Sequence, residues 1–252
     1  MRLDKFISNN SEHTRSQIRK LVKAERIQVN GELVDDVAFK VKSKKDLVTV
    51  DGKPIKPIGS VYYMLNKPVG YVCANDDGSH PTVIDLLKRT ENQKNPEESH
   101  PIPFKDLQIV GRLDVDTTGL VLVTNDGDWN HRVTSPNSSC KKTYRVTLEE
   151  AFDIKTLRHF THGMALEGEK KPTKPAAIEL ITPKKLRLTI SEGKYHQVKR
   201  MFAATGNKVK KLHRESIGDI MLDPELDAGQ FRSLSSNEVQ SMNKKHDFIS
   251  LD

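Results

Sequence analysis

An α+β fold in two parts is predicted by three features of this 252-residue chain. A short basic helical pattern near the N-terminus runs into tight hairpin signals. A Pro/Gly/Ser-rich stretch, KPIKPIGS, follows at residues 53 to 60 and reads as a linker. Beyond it, segments of period-two alternation are mixed with helix-period ones, as strands and helices of a larger domain. The expected division is a small domain at 1–59, a larger one at 60–235 and a tail at 236–252.

In the first domain, Thr14 and Gln17 have capping-box spacing, and Ile18, Leu21 and Val22 give the i, i+3, i+4 apolar stripe of a short helix. Arg15, Arg19, Lys23 and Arg26 follow at four, four and three residues and form a basic stripe on another face. Taken alone, such a stripe is most often a solvated surface. The neighbouring segments shift the balance: Ile27-Gln28-Val29 enters Asn30-Gly31, and Leu47 to Val50 ends in Asp51-Gly52, both strand-and-turn signals. A basic helix packed on a small sheet offers a compact cationic face to phosphates.

In the second domain, Val61 to Leu65 and Tyr71 to Cys73 read as strands around the turn Asn66 to Gly70, with Lys67 at a solvated tip. Residues 88 to 106 are polar, carry Pro96, Pro101 and Pro103, and read as a mobile insertion. Gly119 to Val123 is a strand that closes on an Asn125-Asp126-Gly127 turn. Tyr144, Val146 and Leu148 alternate, as do Leu186, Leu188 and Ile190. The latter run leads through Glu192-Gly193 into a helix from His196 to Ala204, with Val198, Met201 and Phe202 on its buried side. Ser235 and Glu238 have the spacing to cap a last short helix, after which the chain is expected to fray.

The formal charge is +7 and the isoelectric point near 9.2, which favours a polyanionic partner. The first 60 residues hold 13 Lys/Arg against 8 Asp/Glu, so most of the excess lies there. Two cysteines, Cys73 and Cys140, without CxxC spacing point to a reduced, cytoplasmic protein with no disulfide framework. No charged-then-apolar leader opens the chain, and its apolar runs are too short for a bilayer, so no membrane association is expected.

The chemistry centres on GRLDVDTTGLVLVTNDG, residues 111 to 127. Asp114, just before a strand, is a candidate nucleophile. Arg112 lies two residues away, on the same side of an extended chain, where a cation would keep the acid ionised. His159 and His162 are i, i+3 on a possible helix, but no third or fourth ligand accompanies them, so no metal site is expected. Asp114-Val115-Asp116 followed by threonines also resembles the aspartyl-phosphate loop of haloacid-dehalogenase-like phosphatases, with Gly218-Asp219 and Asp223 imitating a magnesium motif. That fold requires a strand–helix alternation that residues 116 to 127 do not show.

Four motifs in order carry a more specific resemblance: GRLDVDTTGL, the NKPVG turn at Asn66 to Gly70, Lys142-Thr143-Tyr144, and EGKYHQVKR from Glu192 to Arg200. With them the chain resembles the RNA pseudouridine synthases of the RsuA branch. MRLDKFI and the RIQVNG hairpin resemble an RNA-binding domain of the ribosomal-protein-S-four type. The likeness runs to about residue 235. It implies a catalytic domain with a mixed, mainly antiparallel sheet, small-subunit (16S) ribosomal RNA as substrate, and a monomer.

Residue by residue, the resemblance assigns Asp114 as catalytic aspartate, Tyr144 as active-site tyrosine and Lys199 as the basic residue that stabilises the carboxylate. Arg112 either fills the gap left in the RNA or holds a phosphate. Seen alone, Tyr144 reads by default as a packed strand residue and Lys199 as a solvated helix lysine. Isomerising uridine to pseudouridine breaks and remakes one sugar–base bond with nothing gained or lost, so no cofactor is required. An RNA-binding protein without catalysis is the rival from another class; it would have no need for Asp114, Tyr144 and Lys199 together.

Overall fold

The computed structural model describes residues 1–11, 13–42, 45–57, 59–93, 104–135 and 138–242. The chain forms two compact units, one of Met1–Ser60 with residues 101–106, the other of 61–100 with 107–252.

In the first unit, α1 (Leu3–Asn9) and α2 (Arg15–Lys23) accompany a four-stranded sheet of order β2-β1-β3-β4, formed by β1 (Ile27–Val29), β2 (Glu32–Leu33), β3 (Val48–Val50) and β4 (Lys53–Pro54). The capping box starts α2: the Gln17 backbone N–H donates to Thr14 Oγ1 at 3.3 Å and the Thr14 N–H to Gln17 Oε1 at 2.8 Å. Val29 pairs with Glu32 across Asn30-Gly31, whose φ angles of +55° and +88° are those a two-residue hairpin turn demands. Asp51-Gly52 makes a second such turn, so Lys53 and Pro54, expected to open the linker, instead form an edge strand where proline's missing N–H is tolerated. Helix α1, not among the expected elements, carries the same i, i+3, i+4 apolar stripe in Leu3, Phe6 and Ile7, which join Ile18, Val22 and Ile27 in the core.

The second unit is built on a sheet of order β13-β5-β7-β11-β8-β10-β9. Its strands are β5 (Tyr62–Lys67), β6 (Gln108–Val110), β7 (Thr118–Thr124), β8 (Lys142–Leu148), β9 (Ala177–Thr182), β10 (Lys185–Ile190), β11 (Val209–Ile217), β12 (Ile220–Met221) and β13 (Phe231–Ser233). Strand β6 pairs with β7, and β12 with β11. All strand pairs are antiparallel except β7 with β11, so the mainly antiparallel sheet is as expected. At that parallel junction Gly119 has φ +103°, and a Cβ there would collide with the Arg214 backbone carbonyl. Only glycine lets the two strands approach this closely.

Among the described residues, five α-helices accompany the sheet: α3 (Val83–Glu91), α4 (Gly127–Thr134), α5 (Leu157–His162), α6 (Gln197–Ala204) and α7 (Ser236–Ser241). Several expectations change here. Tyr71 to Cys73 is not a strand; only Val72 makes an isolated bridge, to Thr82. Asn125-Asp126-Gly127, expected as a turn with no helix behind it, leads directly into α4. Asp126 caps α4, accepting from the Trp129 N–H at 3.0 Å, and Trp129 and Val133 bury one face.

Residues 88 to 91 of the expected insertion are the last turn of α3, which begins at a Thr82–Asp85 capping box; residues 94–103 lie outside the described residues. Residues 236 to 241 of the expected tail form helix α7, and residues 243–252 lie outside the described residues. Helix α7 docks through Val239, whose carbonyl accepts from Trp129 Nε1 at 3.2 Å, and Met242 is buried in the core. Arg232 ties the start of α7 down, bridging Asp223 at 2.6 Å and Glu238 at 2.9 Å.

Candidate active site

Asp114 lies in the turn between β6 and β7. The turn closes by a Thr117 N–H donating to the Asp114 carbonyl at 3.1 Å. Residues 111 to 117 are therefore bent, with Gly111 at φ +74°, and the period-two alignment expected of Arg112 and Asp114 does not apply. The Arg112 guanidinium is exposed and has no hydrogen-bond or ion-pair partner among the described residues. It is not the cation beside Asp114.

That position belongs to Lys199, on the first turn of α6. Its Nζ lies 3.0 Å from Asp114 Oδ2 and 2.6 Å from Asp116 Oδ1. Burial pulls the ammonium's pKa down, but the hydrogen bonds to Asp116 and Asp114 outweigh it and hold the value above the ordinary one. Asp116 shows the reciprocal effect. Its partial burial favours the acid form, yet Lys199 wins and the pKa falls below the usual carboxylate value. On the other oxygen, His196 Nε2 stands 3.4 Å from Asp114 Oδ1. Both carboxylate oxygens thus face side chains from one helix N-terminus, Lys199 as the hydrogen-bonded partner.

Two buried cations fix the turn from beneath. Lys67, expected at a solvated tip, is 0% exposed. Its Nζ donates to the carbonyls of Pro68 at 3.0 Å, Asp114 at 3.1 Å, Val115 at 3.4 Å and Thr117 at 2.7 Å. Burial pushes its pKa below the ordinary lysine value, with the acids at 114 and 116 opposing. Arg214, 1% exposed on β11, donates through Nε to the Leu120 carbonyl at 2.8 Å and through Nη1 to the Arg112 carbonyl at 3.3 Å. The backbone carrying Asp114 is therefore preorganised from both sides, a condition for placing a nucleophile accurately.

Tyr144 is 7% exposed on β8, opposite Arg214 on β11 and Leu188 on β10. Its hydroxyl hydrogen bonds to no described residue, and Arg214 connects its strand to the Asp114 turn. The loop before α6 is framed by Gln197, whose Nε2 donates to Glu192 Oε1 at 2.9 Å and whose Oε1 accepts from the Lys194 N–H at 2.8 Å. Glu169 clamps the same loop, meeting Lys194 at 3.1 Å and Arg200 at 3.0 Å.

In the other unit, Arg15, Arg19 and Lys23 are exposed along α2. Arg26 leaves the stripe: it follows the helix and pairs with Asp51 at 2.5 Å. His159 and His162 are exposed on α5, and no group of three or more metal-binding side chains occurs among the described residues. Asp223 is engaged by Arg232, and β7 lies between antiparallel partners on one side and β11 on the other, unlike the doubly wound core the phosphatase reading needs.

A fixed carboxylate with a paired lysine, on a chain that also carries a small α/β module with a basic helix, defines an enzyme acting on a polyanion. Comparison with known proteins makes this specific. Residues 61–204 match the family model described as RNA pseudouridylate synthase, and residues 1–48 match the S4 domain. The chain belongs to the RNA pseudouridylate synthase family.

Its sequence is 48% identical to the ribosomal small subunit pseudouridine synthase A of Yersinia pestis, over 98% of this chain and 100% of that one. It is 49% identical to the protein of the same name from Escherichia coli strain K12, over 96% and 100%. A pseudouridylate synthase crystal structure covers 96% of the chain with a TM-score of 0.65, at 44% identity and 99% coverage of its own length. The chain is an RNA pseudouridine synthase with an N-terminal S4 domain, and the phosphatase and non-catalytic readings fall away.

Proposed function

We propose that this enzyme isomerises one specific uridine of small-subunit (16S) ribosomal RNA to pseudouridine, with Asp114 as nucleophile. The observation that carries the assignment of Asp114 is its ion pair with Lys199 at 3.0 Å on a turn pinned by Lys67. The substrate follows from the small-subunit enzymes to which the chain is similar over nearly its whole length.

In the reaction, the bond from the sugar's anomeric carbon to base N1 breaks, the base turns, and the same sugar carbon bonds ring carbon five. The proton on carbon five leaves and N1 gains one, so atoms and electrons balance without a cofactor. Asp114 acts at ring carbon six, at the anomeric carbon, or by removing a sugar proton; each route uses its carboxylate, which Lys199 holds at 3.0 Å. Extruding the uridine costs a few kcal/mol. Stacking on Tyr144 returns roughly 1–3 kcal/mol of that. Arg112, with its guanidinium free in the structure, fills the vacated space or binds a neighbouring phosphate.

In this reading, residues 1–59 form the RNA-binding domain, with Arg15, Arg19 and Lys23 on phosphates. Arg26 reaches a phosphate only by leaving Asp51. Residues 60–235 carry catalysis and 236–252 follow as the C-terminal segment. The enzyme works as a cytoplasmic monomer in ribosome biogenesis, on free rRNA or an assembly particle. Tritium release from 16S and 23S RNA labelled at uridine carbon five tests the substrate. Release from 16S RNA alone, at one equivalent per RNA, is expected; release from 23S RNA instead would overturn it.

A further inference from the structure

Beside Asp114, the loop entering α6 displays an aromatic ring that the proposed mechanism does not use. Tyr195 is 73% exposed, the most open of the large apolar side chains among the described residues. Its ring stacks on His196 with centroids 3.8 Å apart and planes at 18°. The same His196 places Nε2 3.4 Å from Asp114 Oδ1, so one histidine links the reactive carboxylate to the open tyrosine.

This placement is maintained at a conformational cost. His196 adopts φ +48°, a left-handed backbone that non-glycine residues seldom take, and such outliers concentrate at functional sites. The Tyr195 carbonyl accepts from Arg200 Nη1 at 2.9 Å, and Arg200 is braced in turn by Glu169. The Tyr195 hydroxyl has no hydrogen-bond partner among the described residues, and its ring takes no part in the core. A structural role leaves both facts unexplained.

The surrounding charges decide what kind of ligand fits. Lys194 and Arg200 are matched by Glu169, and Lys199 by Asp114 and Asp116. With those cations already paired, the feature that the loop before α6 itself leaves for recognition is the open π-face, which suits a nucleobase better than a phosphate. The reacting uridine must touch Asp114 itself, and the His196 ring stands between that carboxylate and Tyr195. When the uridine leaves its stack, the base next to it loses a stacking partner.

We propose that Tyr195 is the platform on which the base adjoining the target uridine stacks, with His196 behind it fixing its distance from Asp114. The proposal rests on the RNA-isomerase reading above. Stacking on a rigid aromatic is worth about 1–3 kcal/mol per base, roughly 5- to 150-fold in affinity.

The test uses the full-length enzyme and a 16S-derived RNA in which 2-aminopurine replaces the base on the 5′ or 3′ side of the target, alongside the matching abasic RNAs. Wild-type enzyme is expected to quench 2-aminopurine at one of the two positions. Tyr195→Ala is expected to lose that quench and to raise the half-saturating concentration about 5- to 150-fold, more than it lowers the maximal single-turnover rate. Tyr195→Phe retains both properties. The abasic RNA at that position binds wild type as weakly as it binds Tyr195→Ala, with no further loss on combining the two changes.

Equal quenching and affinity in wild type and Tyr195→Ala would overturn the platform, as would a Tyr195→Phe variant as impaired as the alanine. Pseudouridine formation by wild type on the unmodified RNA is measured alongside. Its absence would overturn the underlying reading, whereas turnover with an indifferent Tyr195 overturns the platform alone.

Discussion

Lys199 and Asp114 meet at 3.0 Å although 85 positions separate them in the chain, and the same ammonium holds Asp116 at 2.6 Å. One cation therefore compensates two acids on a turn that would otherwise bring like charges together. Lys199→Ala is expected to lower the single-turnover rate about 10²- to 10³-fold, the range for removing one preorganised electrostatic partner, while RNA affinity changes less. Hydrogen bonding to Asp116 and Asp114 outweighs burial and holds its pKa above the ordinary lysine value, so Lys199 stays charged through the neutral range.

Arg200 points elsewhere, to Glu169 and the carbonyls of Tyr195 and Glu167. Arg200→Ala is expected to loosen the loop before α6 and weaken RNA binding while largely sparing the chemical step. Rates at saturating enzyme separate the two variants. Loss of chemistry in Arg200→Ala but not in Lys199→Ala would contradict this division of roles.

Lys67 anchors the catalytic turn from inside the protein. Lys67→Met keeps much of the volume but removes the ammonium from the carbonyls of Asp114, Val115 and Thr117, of which Asp114 keeps the Thr117 N–H and Val115 the Gly70 N–H. It is expected to lower unfolding free energy by about 1–3 kcal/mol. The chemical step suffers as well, because Asp114 is no longer fixed. Urea denaturation and single-turnover rates measure both; a variant matching wild type in each would show that the turn holds itself.

The basic stripe predicts a salt effect. Replacing Arg15, Arg19 and Lys23 together by alanine is expected to lower the slope of log affinity against log salt by about 0.7–0.9 for each phosphate no longer neutralised. Arg26→Ala leaves the slope nearly unchanged, because Asp51 already neutralises that side chain. An unchanged slope in the triple variant would make the stripe a solvated surface.

Helix α7 carries a pH signature. Hydrogen bonding to Arg232 outweighs partial burial and holds the Glu238 carboxyl at about 2, against an ordinary 4.5. A depressed carboxylate stabilises the fold fully above its unfolded value, and that stability fades as pH falls from about 4.5 toward 2. Glu238→Gln is expected to be less stable than wild type at pH 7, with the difference closing over that window. A difference independent of pH would assign the effect to packing.

The pairing of Asp114 with Lys199 is legible because both lie in short, distinctive strings whose residue types and order carry the expectation. What is illegible depends on partners far along the chain. Asn-Lys-Pro-Val-Gly reads locally as a solvated turn, and only a loop nearly 50 residues away supplies the carbonyls that bury Lys67. Asn125-Asp126-Gly127 has the composition of a plain turn, but Asp126 with Trp129 and Val133 signals a capped helix. The period that aligns Arg112 with Asp114 holds only in extended chain, and the bend beginning at Gly111 cancels it. His196 is visible as a helix start; its contact with Asp114 needs the left-handed backbone that no pattern announces.

The most direct test of the account is Asp114→Asn, which preserves the side chain's shape and removes its charge. Tritium release from 16S RNA labelled at uridine carbon five, in single turnover at saturating enzyme, is expected to fall below detection while RNA binding stays within a few-fold of wild type. Release near the wild-type rate would show that Asp114 is not the nucleophile.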